Sequence, residues 1–109
     1  MSYEVIAIPR FKRDLKKLAK KYASLKTEFA NLISILEQQP EQGTFLGNNC
    51  FKIRLAIASK SKGKSGGARV IIQVKISETT VYLLTIYDKN EKENISNREL
   101  QDLLKEITL

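Results

Sequence analysis

At 109 residues, 42% hydrophobic and 28% charged, the chain is expected to form one globular domain over residues 1–109. It has no apolar run long enough to span a membrane, and with no histidine and a single cysteine it lacks the usual ligands of a zinc site and cannot close a disulfide. Nineteen Lys and Arg against twelve Asp and Glu leave a net charge of +7, which points to an anionic partner.

The N-terminus, MSYEVIAIPRF, has no basic stretch followed by a long apolar one, so a secretory signal is not expected. Together with the lone Cys50 this suggests a reducing cytoplasm. Tyr3 to Ile8 is rich in β-branched and aromatic residues and predicts a short strand, ended by Pro9. Phe11, Leu15, Leu18 and Tyr22 then share one helical face, with Lys12, Arg13, Lys16, Lys17, Lys20 and Lys21 on the others. A second helix runs from the break at Ser24 to about Gln38, with Leu25, Phe29, Leu32, Ile33 and Leu36 inward, and Pro40 and Gly43 stop it. The pair suggests an antiparallel helical hairpin.

Thr44 to Cys50 reads as turn. From Phe51 the period changes to two: Phe51, Ile53, Leu55 and Ile57 point one way, Lys52, Arg54, Ala56 and Ala58 the other. Ser59 to Gly67 (SKSKGKSGG) reads as a loop, and Ala68 to Ile76 as a second strand burying Val70, Ile72, Val74 and Ile76. Thr80 to Tyr87, apolar on both faces, suits a central strand. Ser96 and Glu99 have capping-box spacing ahead of a final helix with Leu100, Leu103, Leu104 and Ile107 on one face. The predicted class is therefore α+β: an antiparallel sheet of an N-terminal edge strand plus a three-strand meander, packed against a two-helix hairpin, with a C-terminal helix.

Between Gln42 and Ser77 there is no Asp or Glu, while Lys52, Arg54, Lys60, Lys62, Lys64, Arg69 and Lys75 fall inside that window. Gly63-Lys64-Ser65 imitates the end of a P-loop, but Ala58 stands where that motif needs its first glycine, and a strand follows instead of a helix. A lysine-rich loop alone reads first as a solvated turn. Flanked by Lys52, Arg54 and Arg69, it becomes part of a cation cluster that is costly unless an anion joins it, and a nucleic-acid backbone is the natural candidate. RNA cleavage at such a site would need a base, an acid and positive charge near the phosphate, roles left to Lys, Tyr, Arg or a carboxylate. Tyr87 and Lys89 could reach the same surface, although Tyr87 reads equally well as a strand-end aromatic capping the core. The basic first helix is a solvated face by default, with a second nucleic-acid contact or an acidic docking partner as alternatives.

The runs PRFKRDLKKLAKKYASLK, KIRLAIASKSKGKSGGARVI and VYLLTIYDKNEKENIS resemble the RelE/ParE superfamily of bacterial type II toxin–antitoxin toxins, closest to its HigB-like and RelE-like branch. The resemblance covers nearly the whole chain and implies a small cytoplasmic toxin neutralised by a cognate antitoxin. RelE-like members cleave messenger RNA on the ribosome without a metal, so no cofactor is expected. By position, Lys52, Arg54 and Arg69 would hold and polarise the scissile phosphate. Lys60, Lys62 and Lys64 would contact the RNA backbone. Where such enzymes carry a basic run and then a tyrosine, this chain has Asn90 to Ile95, leaving Tyr87 and Lys89 as substitutes. ParE-like relatives share the fold but act on DNA gyrase, which makes gyrase inhibition the alternative function, and an inactive member kept for antitoxin or operator binding a third.

Overall fold

A computed structural model of the protein describes residues 2–60 and 66–107, without the side chain of Lys60. The chain runs β1 (Glu4–Ala7), α1 (Pro9–Lys21), α2 (Leu25–Gln38), β2 (Thr44–Gly47), β3 (Cys50–Leu55), β4 (Ala68–Lys75), β5 (Thr80–Asp88) and α3 (Asn97–Lys105). This is the α+β arrangement expected, with one strand more and one correction: the N-terminal edge strand is parallel to its neighbour, not antiparallel, because the chain crosses over through the helices before it returns to the sheet. The five strands form one sheet in the order β1-β5-β4-β3-β2, with β1 parallel to β5 and every other pairing antiparallel.

The additional strand, β2, lies where the sequence reads as turn. Asn48 and Asn49 both adopt positive φ, 51° and 60°, so they alone make the two-residue turn between Gly47 and Cys50. Asn tolerates that conformation better than most residues, and such turns match the twist of the strands they join. β2 escapes a period-two reading because it is four residues long and mostly exposed, Phe45 by 62%. Gly43 (φ 88°) sits against the carbonyl of Lys52, where any side chain would collide, so β2 can approach the strand that bears Lys52.

Pro9 opens α1 at the position where its missing N–H is harmless, and Lys20 and Lys21 in the last turn suit the helix dipole. α1 buries Phe11 and Leu18, and α2 buries Leu25, Leu32 and Leu36. The rings of Phe11 and Phe29, 5.5 Å apart, join the two helices. Asp14, the single acid of α1, is turned toward the sheet: it accepts a 2.7 Å hydrogen bond from Thr85 and pairs with Arg10 at 3.0 Å. Lys21 at the end of α1 pairs with Asp88 at 3.7 Å, while Lys12, Lys16 and Lys20 line an outer face to which α1 contributes no acid.

β5 is an interior strand between β1 and β4, as its two apolar faces suggest. It carries an extra residue: Ile71 pairs with Thr85 and Ile72 with Leu83, leaving Leu84 unpaired as a bulge. On one face Ile53, Val70 and Ile86 align beneath the hairpin, and on the other Arg54, Arg69 and Tyr87 align. Two expectations fail here. Ile76 leaves β4 for a short 3-10 turn and is 63% exposed rather than buried, and β3 ends at Leu55, although Ile57 beyond it is fully buried. Cys50 is buried at the start of β3, and burial pushes its thiol up to about 11, so it behaves as a packing residue.

α3 starts at Ser96, whose hydroxyl accepts from the Glu99 backbone while the Glu99 carboxylate accepts from the Ser96 backbone, the reciprocal cap expected. It buries Leu100 and Leu103 against the core. Among the described residues no helix is long and apolar enough to cross a membrane.

Candidate nucleic-acid interface

The antiparallel register builds the site. Arg54 of β3 stands opposite Arg69 of β4, which stands opposite Tyr87 of β5. Directly opposed residues point to the same face, so the three form one row across the sheet. Lys52, two residues before Arg54, shares that face. Period two and hairpin pairing predict this convergence, and the structure produces it.

The row is graded in depth. Arg54 is exposed, Arg69 is 1% exposed, and Tyr87 is 7% exposed. A guanidinium this deep is tolerable only when its charge is answered nearby. Its Nη1 donates to the Ala68 carbonyl at 3.2 Å, and its Nη2 lies 3.6 Å from a carboxylate oxygen of Glu93. Tyr87 is both core and site: it packs in the buried cluster, while its hydroxyl donates to the Glu93 carbonyl at 3.5 Å. Burial pushes that hydroxyl up to about 12, with Arg69 pulling down and Glu93 and Glu99 pushing up. At neutral pH the phenol is protonated and can only donate a hydrogen bond or a proton from its O–H.

The segment after β5 lies over this row, and sequence reasoning missed its part. Lys52 Nζ donates to the side-chain oxygen of Asn94 at 2.6 Å. Lys92 sits 4.8 Å above the Tyr87 ring and pairs with Glu99 at 2.7 Å, which holds the Glu99 carboxyl below its usual range. These contacts arise from a stretch with no periodicity. The available hint was electrostatic: an acid-free cluster of cations needs negative charge, and Glu91 and Glu93 follow the last strand closely.

Lys89 lies just past the row, its backbone N–H donating to the Gly67 carbonyl at 3.1 Å. Gly67 also packs against the Leu55 carbonyl with no room for a side chain. Its small size thus serves the protein's own backbone, closing β3, β4 and β5 together beside Arg69 and Arg54. Lys62, Lys64 and the side chain of Lys60 lie outside the described residues. Lys75 is at the far end of β4, paired with Glu78 at 3.9 Å, and does not belong to the cluster.

Chemically, the face offers two guanidiniums, an ammonium and a protonated phenol around a surface open at Arg54. Such a set has the positive charge and the donors that an anion such as a phosphodiester requires.

A model of the RelE toxin of RelE/RelB toxin–antitoxin systems matches residues 10–108 of the chain. Among solved structures, the fold is similar to a mutant of E. coli toxin RelE in the free state, at TM-score 0.62 and 19% identity over 98% of this chain and 99% of that one. It is also similar to a chain of the intact E. coli RelBE complex (TM-score 0.57, 21% identity, 80% of this chain and 96% of that one). A third match is the RelBE2 complex of Mycobacterium tuberculosis (TM-score 0.56, 22% identity, 81% and 99%). These likenesses agree on the fold, and the family match spans nearly the whole chain: the protein belongs to the RelE toxin family of RelE/RelB toxin–antitoxin systems.

Proposed function

We propose that this toxin is a metal-independent, ribosome-dependent endoribonuclease that cleaves messenger RNA in the cytoplasm and so arrests translation. The observation that carries the reading is the Arg54–Arg69–Tyr87 row with Lys52 on the same face. The ribose 2′-hydroxyl gives its proton to water as its oxygen attacks the adjacent phosphorus, and the 5′-oxygen of the next nucleotide leaves and is protonated, giving a 2′,3′-cyclic phosphate and a 5′-hydroxyl. Arg69, fixed by its burial, faces the charge that builds on the non-bridging oxygens, and Arg54 and Lys52 hold the backbone either side. Tyr87, protonated at neutral pH, donates toward the leaving oxygen. Lys89 adds positive charge at the rim.

The row contacts phosphate, which carries no sequence information, so a second surface must position the message. The outer face of α1 is suited to that role: Lys12, Lys16 and Lys20 with Lys26 of α2 surround a shallow groove floored by Leu15 and Ala19. Ribosomal RNA is the partner this face would meet. Its opponent in the cell is a cognate antitoxin, as the solved complexes of E. coli and M. tuberculosis relatives illustrate.

The test is primer extension on a message in a translating extract given the purified toxin. Discrete cuts that require ribosomes, with naked message intact, are expected. Translation arrest or growth arrest with intact message, accompanied by lost DNA supercoiling, would replace this reading with gyrase inhibition.

A further inference from the structure

The residues assigned to the substrate are already occupied, and by the protein itself. Glu93 Oε2 lies 3.6 Å from Arg69 Nη2, the Tyr87 hydroxyl donates to the Glu93 carbonyl, and Lys52 Nζ donates to Asn94 Oδ1 at 2.6 Å. Three of the four residues on the face thus hold two consecutive residues of the β5–α3 segment. We propose that Glu93 and Asn94 are a tethered stand-in for the RNA phosphodiester, seated on the phosphate-holding cations and displaced when RNA enters. The proposal rests on the phosphodiester reading of the site given above.

The chemistry matches group for group. A carboxylate and an amide oxygen are acceptors without a competing proton, as the phosphate oxygens are. The fit is also weaker than the substrate's would be. The Arg69–Glu93 separation exceeds the roughly 2.7–2.9 Å of a good charge-assisted hydrogen bond, and the Glu93 side chain is 45% exposed. A phosphate forked on Arg69 outcompetes it, whereas weakly bound anions of the surroundings do not.

The segment is built to swing. Its start is tied to Asp88, which is 1% exposed: the side chain accepts from the Asn90 N–H at 2.9 Å, and the carbonyl accepts from Glu91 and Lys92. Its end is fixed by the Ser96 cap of α3. Between these anchors Ile95 packs against the core, and among the described residues the backbone hydrogen bond to residues 93–95 is the one from the Tyr87 hydroxyl. Arg54, exposed at the open end of the row, offers the first contact to an incoming backbone before the stand-in leaves.

The test measures binding of a short fluorescent single-stranded RNA, 2′-O-methylated so that it cannot be cut, by anisotropy at fixed salt. Glu93→Gln removes the charge and keeps the shape, and is expected to bind about tenfold tighter, or about 1.4 kcal/mol. Glu106→Gln, an exposed site at the far end of α3, changes net charge equally and is expected to gain less than about twofold. In an Arg69→Ala background the Glu93→Gln gain should vanish. Equal gains for the two glutamine variants, or no gain for Glu93→Gln in a protein that melts like the parent, overturns the stand-in. If Arg69→Ala weakens binding in that same experiment, the phosphodiester site itself stands. An Arg69→Ala protein that binds like the parent removes that site, and the proposal with it.

Discussion

Arg69→Ala should lower kcat/KM for ribosome-dependent cleavage by about a thousandfold, the loss typical when one fixed donor to a developing oxyanion is removed. Arg69 is the deepest cation of the row, and its guanidinium is held from within the sheet by the Ala68 carbonyl, so no neighbour can take over its geometry. Its burial also means that truncation leaves a void and exposes Glu93 to an altered field, so a fold effect must be separated from a chemical one. Arg69→Lys does this. It keeps the charge and most of the volume but cannot form the planar fork, and should still lose about a hundredfold. Single-turnover cleavage alongside thermal melting checks both variants. A folded Arg69→Ala protein that cleaves at the parental rate would remove Arg69 from the mechanism.

Phe11→Ala should cost about 3–5 kcal/mol, the usual range for emptying a large aromatic site in a core. Phe11 is fully buried where α1 crosses to the sheet, and its ring packs on Phe29 of α2. A domain of this size commonly has about 5–15 kcal/mol in total, so the variant should sit near the edge of folding. With a urea slope of about 1–3 kcal/mol/M, the unfolding midpoint should fall by about 2 M. A midpoint within about 0.3 M of the parent would show that the hairpin is not anchored through Phe11.

Most of this architecture was legible because burial imposes a period. α1, α2 and α3 show it at helical spacing, β3 shows it at two, and β5 declares its interior place by lacking it. The capping residues of α3 could be named in advance because their chemistry is local. β2 could not: four largely exposed residues bury too little to impose a pattern, and Gly47-Asn48-Asn49 reads as turn whether or not a strand precedes it. The strict alternation assumed for β4 missed the burial of Arg69 and Ile71, because α3 and the segment before it cover the second face of the sheet. That cover comes from across the chain and leaves no periodic trace.

The site divides in the same way. Lys52, Arg54, Arg69 and Tyr87 converge because strand pairing carries them to one face, which alternation and a hairpin suffice to predict. Glu93 and Asn94 reach the same place from an aperiodic segment, so only their charge and acceptor character hinted at it. Set against the family's basic run and tyrosine, residues 90–95 are a departure that leaves the acid and base unassigned. In the structure two of them fill the cation row and a third, Lys92, sits on Tyr87.

In the proposed reaction this row acts on the phosphodiester through the neighbouring ribose hydroxyl. The most direct measurement is end-group analysis of the cut message, made on ribosomes programmed with either an ordinary codon or one 2′-O-methylated at the scissile position. A 2′,3′-cyclic phosphate and a 5′-hydroxyl are expected at each cut, with no cut at the methylated codon. Cuts that persist at the methylated codon, or that leave a 5′-phosphate and a 3′-hydroxyl, would contradict the proposed reaction.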